Sequence, residues 1–383
     1  MSLMRRLFPV ALLAAAAFGT DAGAAVRVYR PTDPSQVVLK LGSASAESRL
    51  AQLRAASAAA PDDGDVLIRY VDALVEAGAR SGNERYYGYA EQMLNGWRGV
   101  DDPALSLRRA RLLQHKHEFA AAERVLGEIL QVNGRDRDAR LMRAQVRLHM
   151  RQPQEALADC VALIPSVDLL TSTTCIAQAR ASLGDLQRPR TLLLRALEHQ
   201  RRDNATRSWS AGIVAELSAR LGDEAAAGRW YREAFELDPE SHYARITYAD
   251  WLLSAGRFDE ALQVSLRGSS LADRARSVRA ARDPHSIEAQ RLQLAWQEAD
   301  ARAERGHLRD RAWFELTLLH DPAKAIASAR ASLAERNEAD DALILATAAA
   351  AARDKESLRV VYEWQQRHGY EDVRLDALLG AVR

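Results

Sequence analysis

Small residues recur along the middle of this chain at an interval of about 34. Gly222 is followed by Gly256 at that distance, and Ala227 is followed by Ala261 in the same way. A period of this length is typical of arrays in which one supersecondary unit is repeated and stacked. The units begin near Pro103, Arg137, Leu170, Ser208 and His242.

The apolar residues between these small positions follow a helical period, and a glycine such as Gly222 stands where a first helix must end. Alanine or glycine at two fixed positions of each unit, the eighth and the twentieth, lets two antiparallel helices approach closely. A single helix hairpin cannot bury its own apolar face, so neighbouring hairpins must stack. Larger residues that fill the gap to the next hairpin are Leu126, Cys160, Leu193 and Tyr231.

At this point the chain resembles the tetratricopeptide repeat family over residues 103–268. The resemblance implies an all-α fold, a right-handed α-solenoid of helix-turn-helix repeats. It departs from the family at Ala211, where tryptophan is usual, and at Arg109 and Arg143, where leucine is usual. The matching skeleton is Ala215, Gly222, Ala227, Tyr231, Ala234 and Pro239, followed by Ala249, Gly256, Phe258, Ala261 and Leu262.

The first residues have the three parts of a secretory signal peptide. Arg5 and Arg6 precede an apolar run from 7 to 18, and the small residues at 22–24 suit cleavage. The run is shorter than the roughly 20 residues that span a bilayer. We therefore expect a periplasmic or secreted protein without stable membrane insertion after cleavage.

The pattern divides the chain into four segments. Residues 1–24 are the signal peptide, and 25–44 form a short extended N-terminal segment with strand-like alternation. Residues 45–268 form the repeat array. Residues 269–383 contain degenerate helical repeats that we expect to continue the solenoid.

The charge balance argues against a nucleic-acid partner. The formal net charge is +1, and both signs are interspersed along the chain. No basic stripe exists that would attract a polyanion.

Two cysteines, Cys160 and Cys175, leave two interpretations open. In an oxidising compartment they could form a disulfide between the second helix of one repeat and the first helix of the next. Alternatively, they are two small buried residues at packing positions.

Catalytic signatures are missing from the sequence. It has no phosphate-binding loop, no His-Glu-x-x-His and no Gly-x-Ser-x-Gly. His115 and His117 are two apart, whereas metal ligands on one helical face are spaced by four. We therefore predict no enzyme activity, no cofactor and no metal site.

The resemblance also implies which residues line the concave groove, because the second, ninth and thirteenth positions of first helices face it in this family. Their mixed polar and aromatic character suits an extended peptide or a helix. The alternative is that they are solvated and bind nothing. In this sequence they are Arg111, His115, Gln145, His149, Gln178, Trp209, Glu216, Arg220, Tyr243 and Asp250.

These observations favour a non-catalytic adaptor of the bacterial cell envelope that binds a protein or peptide on the solenoid surface. A self-associating structural subunit is the alternative, and an enzyme hidden in the groove is the third hypothesis. Neither the identity of the partner nor the oligomeric state follows from the sequence.

Overall fold

The computed structural model describes residues 44–265 and 285–380, except for 82, 84, 100–101, 200–202 and 302–307. It also describes the single positions 274, 276, 278, 280, 281, 283 and 382. The chain divides into Met1–Arg49 and Leu50–Arg383, and the contacts given below lie in the second unit. The expected signal peptide, and the expected extended segment as far as residue 43, lie outside the described residues.

In this described part the chain forms helices only, which confirms the predicted all-α class. None of these helices is long and apolar enough to cross a membrane. The first thirteen are α1 (Ala44–Ala59), α2 (Gly64–Ser81), α3 (Arg85–Gly96), α4 (Pro103–His115), α5 (Phe119–Val132), α6 (Arg137–His149), α7 (Pro153–Ala162), α8 (Leu169–Ala181), α9 (Gln187–His199), α10 (Asn204–Arg220), α11 (Glu224–Leu237), α12 (His242–Ser254) and α13 (Phe258–Val264). The others are α14 (Ile287–Ala301), α15 (Leu308–Thr317), α16 (Pro322–Arg336), α17 (Ala339–Ala352), α18 (Lys355–His368) and α19 (Val373–Leu379).

Within residues 64–264, and again within 308–379, consecutive helices pair as hairpins, and each hairpin stacks on the next through both of its helices. The small residues at the two predicted positions are buried at these crossings, as expected. Their exposed fractions are at most 1% at Ala110, Ala122, Ala144, Ala156, Ala177, Ala215, Ala227, Ala249 and Ala261. The larger gap-filling residues Leu126, Cys160, Leu193 and Tyr231 are also buried.

A residue with left-handed backbone geometry lies in the turn of each of the five hairpins from α4–α5 to α12–α13. Two of the five carry a side chain although this backbone region favours glycine. The turns therefore repeat one backbone geometry at the period found in the sequence. The residues, with their φ angles, are His117 (59°), Arg151 (59°), Gly184 (87°), Gly222 (79°) and Gly256 (73°).

The helices form two ladders, which we call the central ladder (residues 64–264) and the C-terminal ladder (residues 308–379). Each has its own apolar interior. Among the described residues, no hydrophobic cluster combines residues before 265 with residues after it. The contacts that join the ladders must therefore be of another kind.

Candidate interaction surface

Arg151 forms the first contact between the ladders. It lies in the turn between α6 and α7, and its Nε donates a hydrogen bond to the carbonyl oxygen of Asn337 at 3.0 Å. The guanidinium also lies 4.8 Å from the centre of the Trp364 ring. Burial lowers the pKa of Arg151, although the nearby Tyr370 and Glu338 oppose this effect. A central turn thus holds the loop that follows α16.

Arg220 forms the second contact, at the end of α10, and is only 2% exposed. Its Nε donates to the carbonyl oxygen of Glu371 at 3.0 Å, and a terminal nitrogen donates to that of Ala181 at 2.9 Å. The guanidinium lies 4.2 Å from the centre of the Tyr370 ring. Burial raises the pKa of Tyr370 to about 12, even though Arg220 acts in the opposite direction. Arg220 therefore joins α8, α10 and the loop before α19.

Glu338 joins the same two ladders through charge. One carboxylate oxygen lies 3.6 Å from Nδ1 of His149 on the central ladder. The other oxygen is paired with Arg309, and also with Arg336 at 3.3 Å. Burial would raise the pKa of Glu338, but the hydrogen bond with His149 and the charges of Arg309 and Arg336 outweigh it and hold the pKa well below its usual range.

We expect Glu338→Gln to lower the free energy of unfolding by about 2 kcal/mol at pH 7, because a charged hydrogen-bond acceptor is lost. The folded-state pKa lies below the ordinary value of 4.5. The contribution of the ionised carboxylate is therefore complete above that value and is lost as the pH falls below it. Urea unfolding at pH 7 and pH 3.5 should show the difference from wild type shrinking at the lower pH. The exposed Glu363→Gln should change neither curve, and an undiminished difference at pH 3.5 would contradict the assignment.

Two central turns approach the C-terminal ladder so closely that only glycine fits without adjustment. A Cβ atom placed on Gly184 would lie 2.9 Å from the carbonyl oxygen of Gly369. On Gly222 it would lie 3.3 Å from Cγ2 of Val373. Around Gly256, in the next turn, nothing lies within 4 Å of the same position.

Gly184→Ala should therefore destabilise the protein more than Gly256→Ala. Both substitutions place a Cβ in the left-handed region, which costs about 1 kcal/mol. Only Gly184→Ala also meets a backbone oxygen of the other ladder, and we expect a total of about 2 kcal/mol. Urea denaturation of the two variants measures the difference. Equal losses would mean that the ladders do not touch at this turn.

Four of the predicted groove residues lie on the side that faces the C-terminal ladder or the segment before it. His149 pairs with Glu338 and stacks on Phe119, and Arg220 is buried as described above. The Asp250 carboxylate is 2.8 Å from the guanidinium of Arg274. Glu216 lies 3.8 Å from Arg220. Burial raises the pKa of Glu216, and Arg220 opposes the rise.

Tyr243 and Trp209 contribute to packing between hairpins. The Tyr243 ring lies against Gly212, and its buried hydroxyl has no hydrogen-bond partner among the described atoms. Trp209 is half-buried and packs against two hydrophobic clusters, one centred on α7 and α8 and the other on α8 to α10. Tyr243 packs against Gly212, and Trp209 packs against the two clusters. Both rings therefore have a structural role at the predicted positions.

The remaining four predicted groove residues have no described contact with the C-terminal ladder. His115 stacks on Tyr87 with ring centres 3.6 Å apart. Arg111 is exposed, and Gln145 and Gln178 are half-buried. Within the described chain, no group of three or more His, Cys, Asp or Glu residues could hold a metal ion.

The sequence reasoning missed Arg151, Glu338 and the loop 369–372. Arg151 carried a usable signal, because it stands 33 residues before Gly184 in the place of a turn glycine. Nothing in the sequence indicated its partner, since Arg151 and Asn337 are separated by 186 positions.

A disulfide links Cys160 in α7 to Cys175 in α8, with Cα atoms 5.4 Å apart. The structure thus favours the first of the two interpretations left open by the sequence. Both cysteines are buried, at 0% and 3% exposure. The bond joins two successive hairpins of the central ladder.

Next to this bond, the carboxylate of Asp159 accepts hydrogen bonds from three arginines of α6. Arg143 reaches it at 2.6 Å, Arg147 at 2.8 Å and Arg140 at 3.2 Å. The Asp159 side chain is 2% exposed, while the arginines are 18–19% exposed. The hydrogen bond to Asp159 raises the pKa of Arg143, against the opposing effect of burial. One buried carboxylate thus fixes α6 to α7.

The chain was compared with known proteins. No family model matches it, and no curated protein sequence matches it. Solved structures that align with it include a tetratricopeptide repeat protein from Parabacteroides merdae, at 15% identity and a TM-score of 0.32, covering 73% of this chain and 97% of that one. Yeast Tom70 aligns at 14% identity and a TM-score of 0.40, covering 88% and 85%. The P58(IPK) TPR domain aligns at 18% identity and a TM-score of 0.22, covering 82% and 95%.

The repeat assignment depends on the chain's own geometry. Buried small residues mark each helix crossing of the central ladder, and a left-handed turn residue recurs every 33 to 38 positions. Hairpins stack in chain order through both of their helices. The chain is therefore an all-α protein built of stacked helix-turn-helix repeats.

Proposed function

We propose that this chain is a non-catalytic interaction scaffold that holds a protein or peptide on its central ladder. One column of side chains carries the proposal: Arg111, Gln145 and Gln178 occupy the ninth position of three successive repeats. They are exposed or half-buried. A glutamine amide both donates and accepts hydrogen bonds, which suits the backbone of an extended segment. Stacked repeats present such columns over a long surface.

The proposal includes export to the periplasm or the outside of a bacterial cell. The charged, apolar and small-residue pattern of residues 1–24 supports this. The bond between Cys160 and Cys175 also supports it, because disulfides persist in oxidising compartments and are rare in the cytosol. The partner is accordingly a protein or peptide of the cell envelope. Cell fractionation with N-terminal sequencing tests this part: a cytosolic chain that begins at Met1 would contradict it.

Affinity capture from the cell envelope tests the binding surface. Tagged wild-type protein is compared with a Gln145→Ala/Gln178→Ala variant and with a Gln131→Ala/Gln154→Ala control. The control residues are exposed glutamines on the second helices α5 and α7. The proposal predicts a reproducible partner that the first variant loses and the control retains. Equal capture by all three proteins would overturn the proposed surface.

Two measurements on the purified protein address the other functions. Light scattering that shows a stable homo-oligomer without another bound protein would favour a self-associating structural subunit. Native mass spectrometry that shows a bound small molecule would favour a hidden enzyme. The scaffold proposal expects neither result.

A further inference from the structure

We propose that the partner of the central ladder is an extended protein segment with an acidic residue at one end and a lysine or arginine about eight positions away. The acidic residue pairs with Arg111, and the basic residue enters a recess at Glu216. The inference rests on the proposed scaffold function and names the chemistry of the segment that the scaffold holds.

The ninth positions of successive first helices form one column whose two ends carry opposite charges. Arg111, Gln145 and Gln178 lie on α4, α6 and α8, and Glu216 and Asp250 continue the column on α10 and α12. Each of these helices contacts the next one in the series. Within the described chain, the side chains of Arg111 and the two glutamines make no hydrogen bond or ion pair. The column therefore offers free polar groups and changes from positive to negative along its length.

The length of the column sets the spacing of the two charges in the segment. Neighbouring packed helices lie about 8–10 Å apart, so the three steps from α4 to α10 span about 24–30 Å. An extended chain covers this distance with about eight residues. The amides of Gln145 and Gln178 lie between the two ends, where they face the main chain of the segment.

The negative end presents carboxylates although an arginine lies near each of them. Three ion pairs share the same arrangement, in which the carboxylate is the exposed member and the guanidinium is the buried one. The carboxylate side chains are 34–58% exposed, whereas the arginine side chains are 2–14% exposed. An approaching segment therefore meets negative charge first. The pairs are Glu216–Arg220, Asp250–Arg274 and Asp340–Arg309, the last from the C-terminal ladder.

Glu216 lacks a hydrogen-bond donor within the described chain. The nearest described arginine nitrogen, on Arg220, lies 3.8 Å from the Glu216 carboxylate, which is beyond hydrogen-bond distance. The hydroxyl of Tyr243 is buried and also has no partner among the described atoms. Burial raises the pKa of Tyr243, and the charge of the nearby Glu216 adds to the rise. An ammonium or guanidinium group supplies the donors that these two oxygens lack.

Carboxylates from both ladders act on one another in this recess. Burial raises the pKa of Glu216, Arg220 opposes the rise, and the charge of Asp340 adds to it. Burial likewise raises the pKa of Asp340, against Arg309, and the charge of Asp250 adds to that rise. A cation among these carboxylates relieves their repulsion, whereas an anion increases it. The basic end of the segment therefore belongs at Glu216 and the acidic end at Arg111.

Selection from a display library of random peptides about 14 residues long tests the inference on the immobilised full-length chain, because such peptides exceed the predicted span. Peptides selected by wild type should be enriched in a basic and an acidic residue about eight positions apart. Glu216→Lys should remove the enrichment of basic residues, and Arg111→Glu should remove that of acidic residues. The controls are Glu236→Lys on α11 and Arg124→Glu on α5, which reverse exposed charges on second helices.

Fluorescence anisotropy with the most enriched peptide gives the size of the effect. Glu216→Lys should weaken its binding about tenfold or more, the loss expected for one charge-assisted hydrogen bond. Glu236→Lys should leave the binding unchanged. If Glu216→Lys loses helix content, Glu216→Gln takes its place, because it keeps the shape of the side chain and removes only the charge.

Three results would overturn the inference: no enriched peptides, enriched peptides without the two charges, or the same charge pattern on folded Glu216→Lys as on wild type. The scaffold proposal would survive any of them if envelope capture still depends on Gln145 and Gln178. Equal envelope capture by wild type and the glutamine variants would instead overturn the proposed surface. The two proposals therefore fail in different experiments.

Discussion

Asp159→Asn is expected to lower the free energy of unfolding by about 3 to 5 kcal/mol, the range found when one member of a buried ion pair is removed. Asp159 is almost fully buried and supplies the one carboxylate that Arg140, Arg143 and Arg147 share. Asparagine has nearly the same shape but no charge. The substitution therefore leaves three partly buried guanidiniums. The described carboxylate that still pairs with one of them is that of Glu123, which reaches only Arg147.

Asp72→Asn is the matched control for this prediction. Asp72 also binds an arginine, Arg108, at 2.7 Å, but its side chain is 40% exposed and it serves a single partner. Pairs of this kind contribute about 1 kcal/mol or less. Urea unfolding followed by circular dichroism compares the two variants. Similar small losses in both would show that the Asp159 cluster does not stabilise the ladder.

Cleavage of the disulfide between Cys160 and Cys175 is the second change with a large expected effect. The bond closes a loop with a sequence separation of 15. A loop of this size corresponds to a stabilisation of about 3 kcal/mol on the chain-entropy account. The loop contains the junction of α7 and α8. Loss of the disulfide therefore frees two successive hairpins from each other in the unfolded chain. We expect a comparable loss for Cys160→Ala/Cys175→Ala.

A reductant separates the effect of the bond from the effect of the side chains. It should lower the urea midpoint of the wild-type protein and leave that of the double alanine variant unchanged. A reductant that has no effect on the wild-type midpoint, with reduction verified by thiol titration, would mean that the bond does not stabilise the fold.

The central ladder could be predicted from the sequence because local constraints determine it. Glycine, as at Gly184 or Gly222, is favoured where the backbone turns left-handed, and alanine is favoured where two helices cross. Both constraints act within one repeat and recur in the next. A period visible in one sequence therefore translates directly into stacked hairpins.

Arg143 departs from the repeat pattern, and the period alone does not explain this departure. Its position normally carries an apolar residue in the family that the chain resembles, and nothing in the repeat pattern explains an arginine there. The structure supplies the reason: Asp159, 16 positions later, pairs with it across the hairpin. A compensating pair of this kind is specific to one repeat, so the period does not reveal it.

The contact between the ladders could not be predicted for a different reason. Its hydrogen bonds run to main-chain carbonyls at Asn337 and Glu371, and every residue type has a carbonyl group. No apolar stripe marks the interface, because no hydrophobic cluster crosses it in the described part. The family resemblance places His149 and Arg220 in the groove as contact residues. In the structure, their contacts are with the chain itself.

A double-mutant cycle between Arg220 and Tyr370 tests the central claim most directly, because it measures the contact between the ladders as a free energy. The cycle compares the unfolding free energies of wild type, Arg220→Ala, Tyr370→Ala and the double variant. A guanidinium 4.2 Å from a ring centre in a desolvated site predicts a coupling of about 1 to 2 kcal/mol. Strictly additive effects of the two substitutions would contradict the ladder contact.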